Sequence, residues 1–135
     1  MSRRGLGLRL FVFEGTVFSG KGKGKTYVEL PWFMRQVEEK LGFSPYPGTL
    51  NMRLTGKDVN KRRELETAGG FFVAPQTGYY SGVLFKAVLR GLECAVVFPV
   101  MPNYPNDVLE IISPIYLRAN LNLVDGDRVT VEVKA

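Results

Sequence analysis

The sequence predicts a mainly β protein whose strands close into a barrel with long, cradle-like loops. Three observations carry that expectation. β-prone runs recur from Leu8 to Val133, separated by turns rich in Gly, Pro and Asn. The clearest pair, Val83–Leu89 and Leu92–Val100, flanks Arg90-Gly91 as the arms of a hairpin do. One stretch alone, Pro31 to Gly42, carries a clear helical period, so a helix is inserted into a series of strands.

Taken in order, Met1–Gly7 reads as a frayed basic leader and residues 8–135 as a single domain. Leu8–Phe18 is a long strand in which Gly15 marks a candidate bulge. Tyr27–Leu30 reads as a short strand ending at Pro31. The helix follows: Pro31 suits its first turn, Phe33, Val37 and Leu41 share one face, and Gly42 stops it. It is expected to pack on a sheet without direct chemistry. Met52–Leu54 and Phe71–Ala74 are strands, and Asn60–Glu66 forms about one helical turn with Lys61, Arg62 and Arg63 on a solvated face. Tyr79 and Tyr80 either pack at a rim or stack on a planar ligand, and packing is the expected role. Val108–Ser113 is a strand, Pro114–Asn122 holds a short helix, Val124–Asp127 is a turn, and Val129–Val133 is the last strand.

Composition removes several chemistries. The chain has no histidine and one cysteine, which excludes Ser-His and Cys-His catalysis, a cysteine-based zinc site and an internal disulfide. Cys94 lies in an apolar run and reads as a buried small hydrophobe. No apolar run approaches a membrane span and no signal peptide is evident, so a cytoplasmic protein is expected, with no membrane partner. A net charge of +5 favours anionic partners.

Two stretches concentrate chemistry. Pro45-Tyr46-Pro47-Gly48-Thr49-Leu50-Asn51 is a tight turn entering a strand, and the spacing of Thr49 and Asn51 points both side chains to one face. Their hard neutral oxygens suit Mg²⁺; satisfaction of nearby backbone groups is the competing role. Ser19–Thr26, SGKGKGKT, alternates glycines with lysines, a composition that cradles phosphates or forms a solvated loop. It is not a Walker A loop, because Ser19 stands where the first glycine is required and the following residues read as strand. Glu110, alone among apolar neighbours, is either an outward side chain of an alternating strand or a carboxylate facing a pocket.

Four segments in this order, EGTVFSGKGKGKTY, LGFSPYPGTLN, AVVFP and VLEIISPIYLRANLNLVDGDRVTVEV, resemble the archaeal CTP-dependent riboflavin kinases over Leu8–Val133. The resemblance implies a six-stranded cradle-loop barrel that transfers the γ-phosphate of CTP to the 5′-hydroxyl of riboflavin, giving FMN and CDP. By position, Gly20, Lys21, Gly22, Lys23, Gly24 and Lys25 would wrap the nucleotide, and Ile115, Tyr116, Leu117 and Arg118 would line its site. Thr49 and Asn51 would hold Mg²⁺. Glu110 would meet the ribityl end of the flavin, orient its hydroxyl and take its proton. Family members commonly place a flavin-binding threonine in the loop before the glutamate strand; here Pro102 stands there, with Asn103 or Tyr104 as the substitute. Lys21 and Lys23 add positive charge to the nucleotide loop.

The resemblance implies riboflavin and CTP as partners, no nucleic acid, and a monomer or weak homodimer. Two other readings compete. A basic β-barrel that binds nucleic acid fits the charge, although aromatic and basic residues are not interleaved on one strand. A non-catalytic dimerising barrel of the transcription-regulator type fits LNLVDGDRVTVEV and would make Thr49 and Asn51 dispensable.

Overall fold

The computed structural model describes residues 9–20 and 27–135. The expected leader and the expected nucleotide-loop residues Lys21, Gly22, Lys23, Gly24 and Lys25 lie outside the described residues. Strands β1 (Leu10–Phe18), β2 (Leu50–Leu54), β3 (Phe71–Val73), β4 (Gly82–Leu89), β5 (Leu92–Pro99), β6 (Val108–Ile112) and β7 (Arg128–Lys134) are interrupted by helices α1 (Pro31–Leu41) after β1, α2 (Gly56–Glu66) after β2 and α3 (Leu117–Asn120) after β6. All strand pairings are antiparallel, in the order β3-β4-β5-β6-β2-β1-β7, and β4 also pairs with β7. That last pairing closes β4, β5, β6, β2, β1 and β7 into a six-stranded barrel, with β3 as an extra strand beside one end of β4. The β4–β5 turn is as expected: Arg90 (φ 50°) and Gly91 (φ 79°) both take left-handed backbone.

Strand alternation gives the barrel two faces. Phe13, Met52, Leu89, Leu109 and Val131 point inward and form the interior core. On the outer face, α1 lays Trp32, Phe33, Val37 and Leu41 against Leu84, Ala95, Val97 and Ile112. The helix obeys its sequence signals. Pro31 occupies its first turn, and Gly42 (φ 82°) ends it by donating its N–H to the Glu38 carbonyl at 3.0 Å.

Four expectations fail, each for a tertiary reason. Gly15 marks no bulge, since β1 pairs through it in unbroken register with β7 and opens its ladder with β2 at Gly15–Leu54. A Cβ there would collide with the Arg53 carbonyl, so close strand approach is what requires glycine. Tyr27 and Val28 form a helical turn, not a strand. There the Tyr27 ring packs on Phe33 with centroids 4.8 Å apart, and Val28 is buried in the α1 layer; burial under α1 overrides β propensity. The Asn60–Glu66 turn is an eleven-residue helix starting at Gly56. Finally, Arg63 is solvated but Arg62 is buried, 4% exposed.

The last two misses share a cause. The β1–β2 ladder ends at Gly15–Leu54 and the β5–β6 ladder ends at Val97–Glu110, leaving backbone groups of β1 and β6 beyond them without strand partners. Side chains of α2 take them up: Asp58 accepts from the Glu14 N–H (2.8 Å), Lys61 donates to the Val12 carbonyl (2.6 Å), and Arg62 donates to the Val108 carbonyl (2.8 Å). Asp58, Arg62 and Leu65 are the buried side chains of this helix, so a largely polar stripe faces inward.

Candidate active site

Asn51 on β2 pairs with Glu110 on β6, and Glu110 pairs with Val97 on β5. Inward-facing Leu50, Met52, Leu109 and Ile111 flank them, so Asn51 and Glu110 stand together on the outer face of the barrel. Thr49, two residues before Asn51, joins them. Its hydroxyl lies 3.0 Å from Glu110 Oε1 and 3.4 Å from Asn51 Oδ1. The second carboxylate oxygen of Glu110 accepts the Tyr104 hydroxyl. Glu110 therefore faces a pocket and receives two hydroxyl donors.

The pocket is a cavity of about 840 Å³, whose lining joins these polar groups to Tyr27, Tyr79, Tyr80, Val97 and Met101. Mixed apolar walls with a few convergent polar groups are typical of small-molecule sites. Burial, and then the Glu110 charge, push the Tyr27 phenol up to about 12, so it remains a neutral donor. Tyr79 packs on Trp32 with centroids 5.6 Å apart, as rim packing requires, and also lines the cavity.

A second cavity of about 210 Å³ adjoins the first, and the two share Gly48, Thr49 and Arg118. Its lining includes Ile115, Tyr116 and Leu117, together with Tyr46, whose ring stacks on Tyr116 at 4.8 Å and 9°. Leu117 is 4% exposed and belongs to the interior core, so chiefly its backbone is left for a ligand. Arg118 bonds Asp125 at 2.8 Å and the Phe18 carbonyl at 3.2 Å. Its hydrogen bond, with that of Ser19, holds the Asp125 carboxyl below the usual range. This cluster anchors Ser19 and Gly20, the described root of the glycine–lysine segment. Gly20 lies against the Asn51 amide so closely that a Cβ would collide with it.

Gly20, Thr49, Asn51, Asn103, Glu110 and Arg118 thus line one cavity, and Ile115–Arg118 line its neighbour. Among the described residues no group of three or more His, Cys, Asp or Glu side chains gathers to bind a metal. The Thr49 and Asn51 oxygens nevertheless suit a hard cation: adjacent ligands on octahedral Mg²⁺ sit about 3 Å apart. Sequence reasoning missed Tyr27, Ser19 and Asp125 as site-shaping residues. Ser19 entered only as the first residue of the glycine–lysine stretch, Tyr27 closed the segment EGTVFSGKGKGKTY without a role of its own, and for Asp125 the signal was an acidic turn after Arg118. It named Tyr104 only as a substitute flavin contact, not as a partner of Glu110.

Comparison with known proteins identifies the family. A family model, CTP-dep_RFKase, described as domain of unknown function DUF120, matches residues 17–133. A riboflavin kinase of Archaeoglobus fulgidus is 44% identical over 124 residues, covering 89% of this chain and 53% of that protein. One from Pyrobaculum aerophilum is 46% identical over 123 residues, covering 88% and 59% respectively. One from Methanosarcina barkeri is 42% identical over 132 residues, covering 94% and 58%. The chain spans little more than half the length of these curated relatives. No helix among the described residues is long and apolar enough to cross a membrane. The match of the family model over most of the chain, on a closed barrel with paired cavities, means that this chain belongs to the CTP-dependent riboflavin kinase family.

Proposed function

We propose that this chain is a kinase domain, residues 8–135, that transfers the γ-phosphate of CTP to the 5′-hydroxyl of riboflavin, giving FMN and CDP. The observation that carries the reading is the meeting of Thr49, Asn51 and Glu110 where two cavities join. The smaller cavity takes the nucleotide and the larger one the flavin. Family membership supplies the identity of donor and acceptor.

Phosphoryl transfer depends on positioning and charge neutralisation more than on covalent help, which suits a chain without histidine. Glu110 accepts the proton of the ribityl hydroxyl as that oxygen bonds the γ-phosphorus, and the bond to the β-phosphate oxygen breaks, releasing CDP. Asn103, on the loop before β6, orients the flavin side. Gly20 and the glycines after it let backbone amides approach the phosphates, and Lys21, Lys23 and Lys25 offset their charge. Thr49 and Asn51 would hold Mg²⁺, which when bound neutralises the triphosphate. Two neutral ligands hold such a cation weakly, so the metal arrives with the nucleotide. Calorimetry with MgCl₂ is expected to register no tight binding to the free protein and clear binding once CTP is added; tight binding to the free protein would count against the assignment.

The direct test is chromatographic detection of FMN from riboflavin with CTP, ATP, GTP and UTP in parallel. Formation with CTP far ahead is the expected result. Equal activity with all four keeps the kinase and moves donor selectivity away from Ile115–Arg118. No FMN with any donor, from folded protein, overturns the enzyme reading and makes salt-dependent nucleic-acid binding the next assay.

A further inference from the structure

The β5–β6 loop carries a group that the mechanism above does not use. Tyr104 has no regular secondary structure to fix it. Its backbone is instead constrained by neighbours: Asn103 takes left-handed φ of 62°, and Pro105 follows. The Tyr104 ring lies 5.6 Å from the Arg62 guanidinium, which also sits 4.7 Å from the Phe98 ring. Arg62 cannot swing away without breaking its bond to the Val108 carbonyl at 2.8 Å and its ion pair with Glu66. Val108 lies two residues before Glu110 on the same strand. Helix α2, the loop and β6 are therefore tied in a ring of contacts that ends with the Tyr104 hydroxyl on Glu110.

Resting on the kinase reading, we propose that Tyr104 is a positioning residue for Glu110, and that Arg62 holds Tyr104 in place for that task. A glutamate side chain has several rotatable bonds, and Thr49 alone would fix only one of its carboxylate oxygens. With Tyr104 on the other oxygen, both are held, and each keeps a lone pair for the ribityl hydroxyl. Burial raises the Tyr104 phenol well above the usual tyrosine value, so its proton stays available to donate. Because this hydroxyl is committed to Glu110, Asn103 is left to make the loop's polar contact with the flavin. The buried Arg62 thereby gains a purpose that a solvated basic run does not suggest.

Tyr104→Phe tests this, because it keeps the ring and its packing on Arg62 and removes only the hydroxyl. A hydrogen bond to a charged group converts to a loss of about 10- to 100-fold in kcat, with KM for CTP unchanged. In a Glu110→Gln background the same substitution should cost much less, because the paired effects are not additive. Denaturant unfolding of the four proteins reads the same coupling without any activity. Three outcomes overturn the proposal: an unchanged kcat in Tyr104→Phe, equal fold-losses in both backgrounds, or no coupling in the unfolding cycle. A wild-type protein that forms no FMN with any donor overturns the kinase reading instead, and is told apart because it needs no variant.

Discussion

One cross-strand row on the outer face of the barrel runs Asn51, Glu110, Val97, Leu84, and its two halves have opposite fates. Leu84 and Val97 are 0% and 4% exposed beneath α1, packed with Trp32, Phe33 and Val37. Asn51 and Glu110 are only half-buried and line the large cavity. The backbone hydrogen bonding of the sheet continues across both halves. The difference is the cover: α1 dries one half, Val97 at the boundary both packs under α1 and borders the cavity, and the other half is left open to a ligand. A rigid sheet can therefore hold its polar groups in fixed register while the adjoining apolar half supplies stability.

Separate perturbation of the halves should give separate effects. The largest is expected on the polar side. Glu110→Gln should lower the rate of FMN formation by about 10²- to 10⁴-fold, as loss of a general base does, with little change in thermal melting. Comparable rates would mean that Glu110 only borders the site. On the apolar side, Leu84→Ala should remove about 2–5 kcal/mol from denaturant-unfolding stability while activity per folded molecule is kept. If that substitution instead abolished turnover in folded protein, the two halves would be coupled and the division would fail.

A smaller effect concerns Cys94, which β4–β5 pairing places opposite Ala87 in the interior. Burial, with a lesser contribution from the Glu93 charge, pushes its thiol up to about 12 from an ordinary 9.0. The folded value is the higher one, so this contribution to stability is complete below the ordinary thiol value and is lost as pH rises through about 12. A disulfide reagent at roughly pH 8 should label Cys94 only after denaturant is added. Rapid labelling of the native protein would show that the interior opens readily.

Much of this was legible in the chain because the signals are local. The Arg90-Gly91 turn requires left-handed backbone, Pro31 and Gly42 bracket an amphipathic helix, and alternation along β2 places Thr49 and Asn51 on one face. These depend on neighbours in sequence. The same alternation put Glu110 opposite its inward neighbours, yet could not say whether it met solvent or a cavity.

What only the tertiary structure decided depends on contacts distant in sequence. Closure of β4 onto β7 makes the sheet a barrel, and the ends of the β1–β2 and β5–β6 ladders leave backbone groups that Asp58, Lys61 and Arg62 take up. Arg62 carries the same charge as solvated Arg63, and the cost of burying it is offset by the Glu66 carboxylate one turn on in α2 and by a carbonyl and two aromatic rings supplied by other segments. Tyr27 gives up a strand for a helical turn because Trp32 and Phe33 offer it burial. The sequence by itself determined which groups could do chemistry and which face of each strand they occupied. The fold decided which of them meet, because that depends on which unsatisfied groups and uncovered surfaces other segments bring to them.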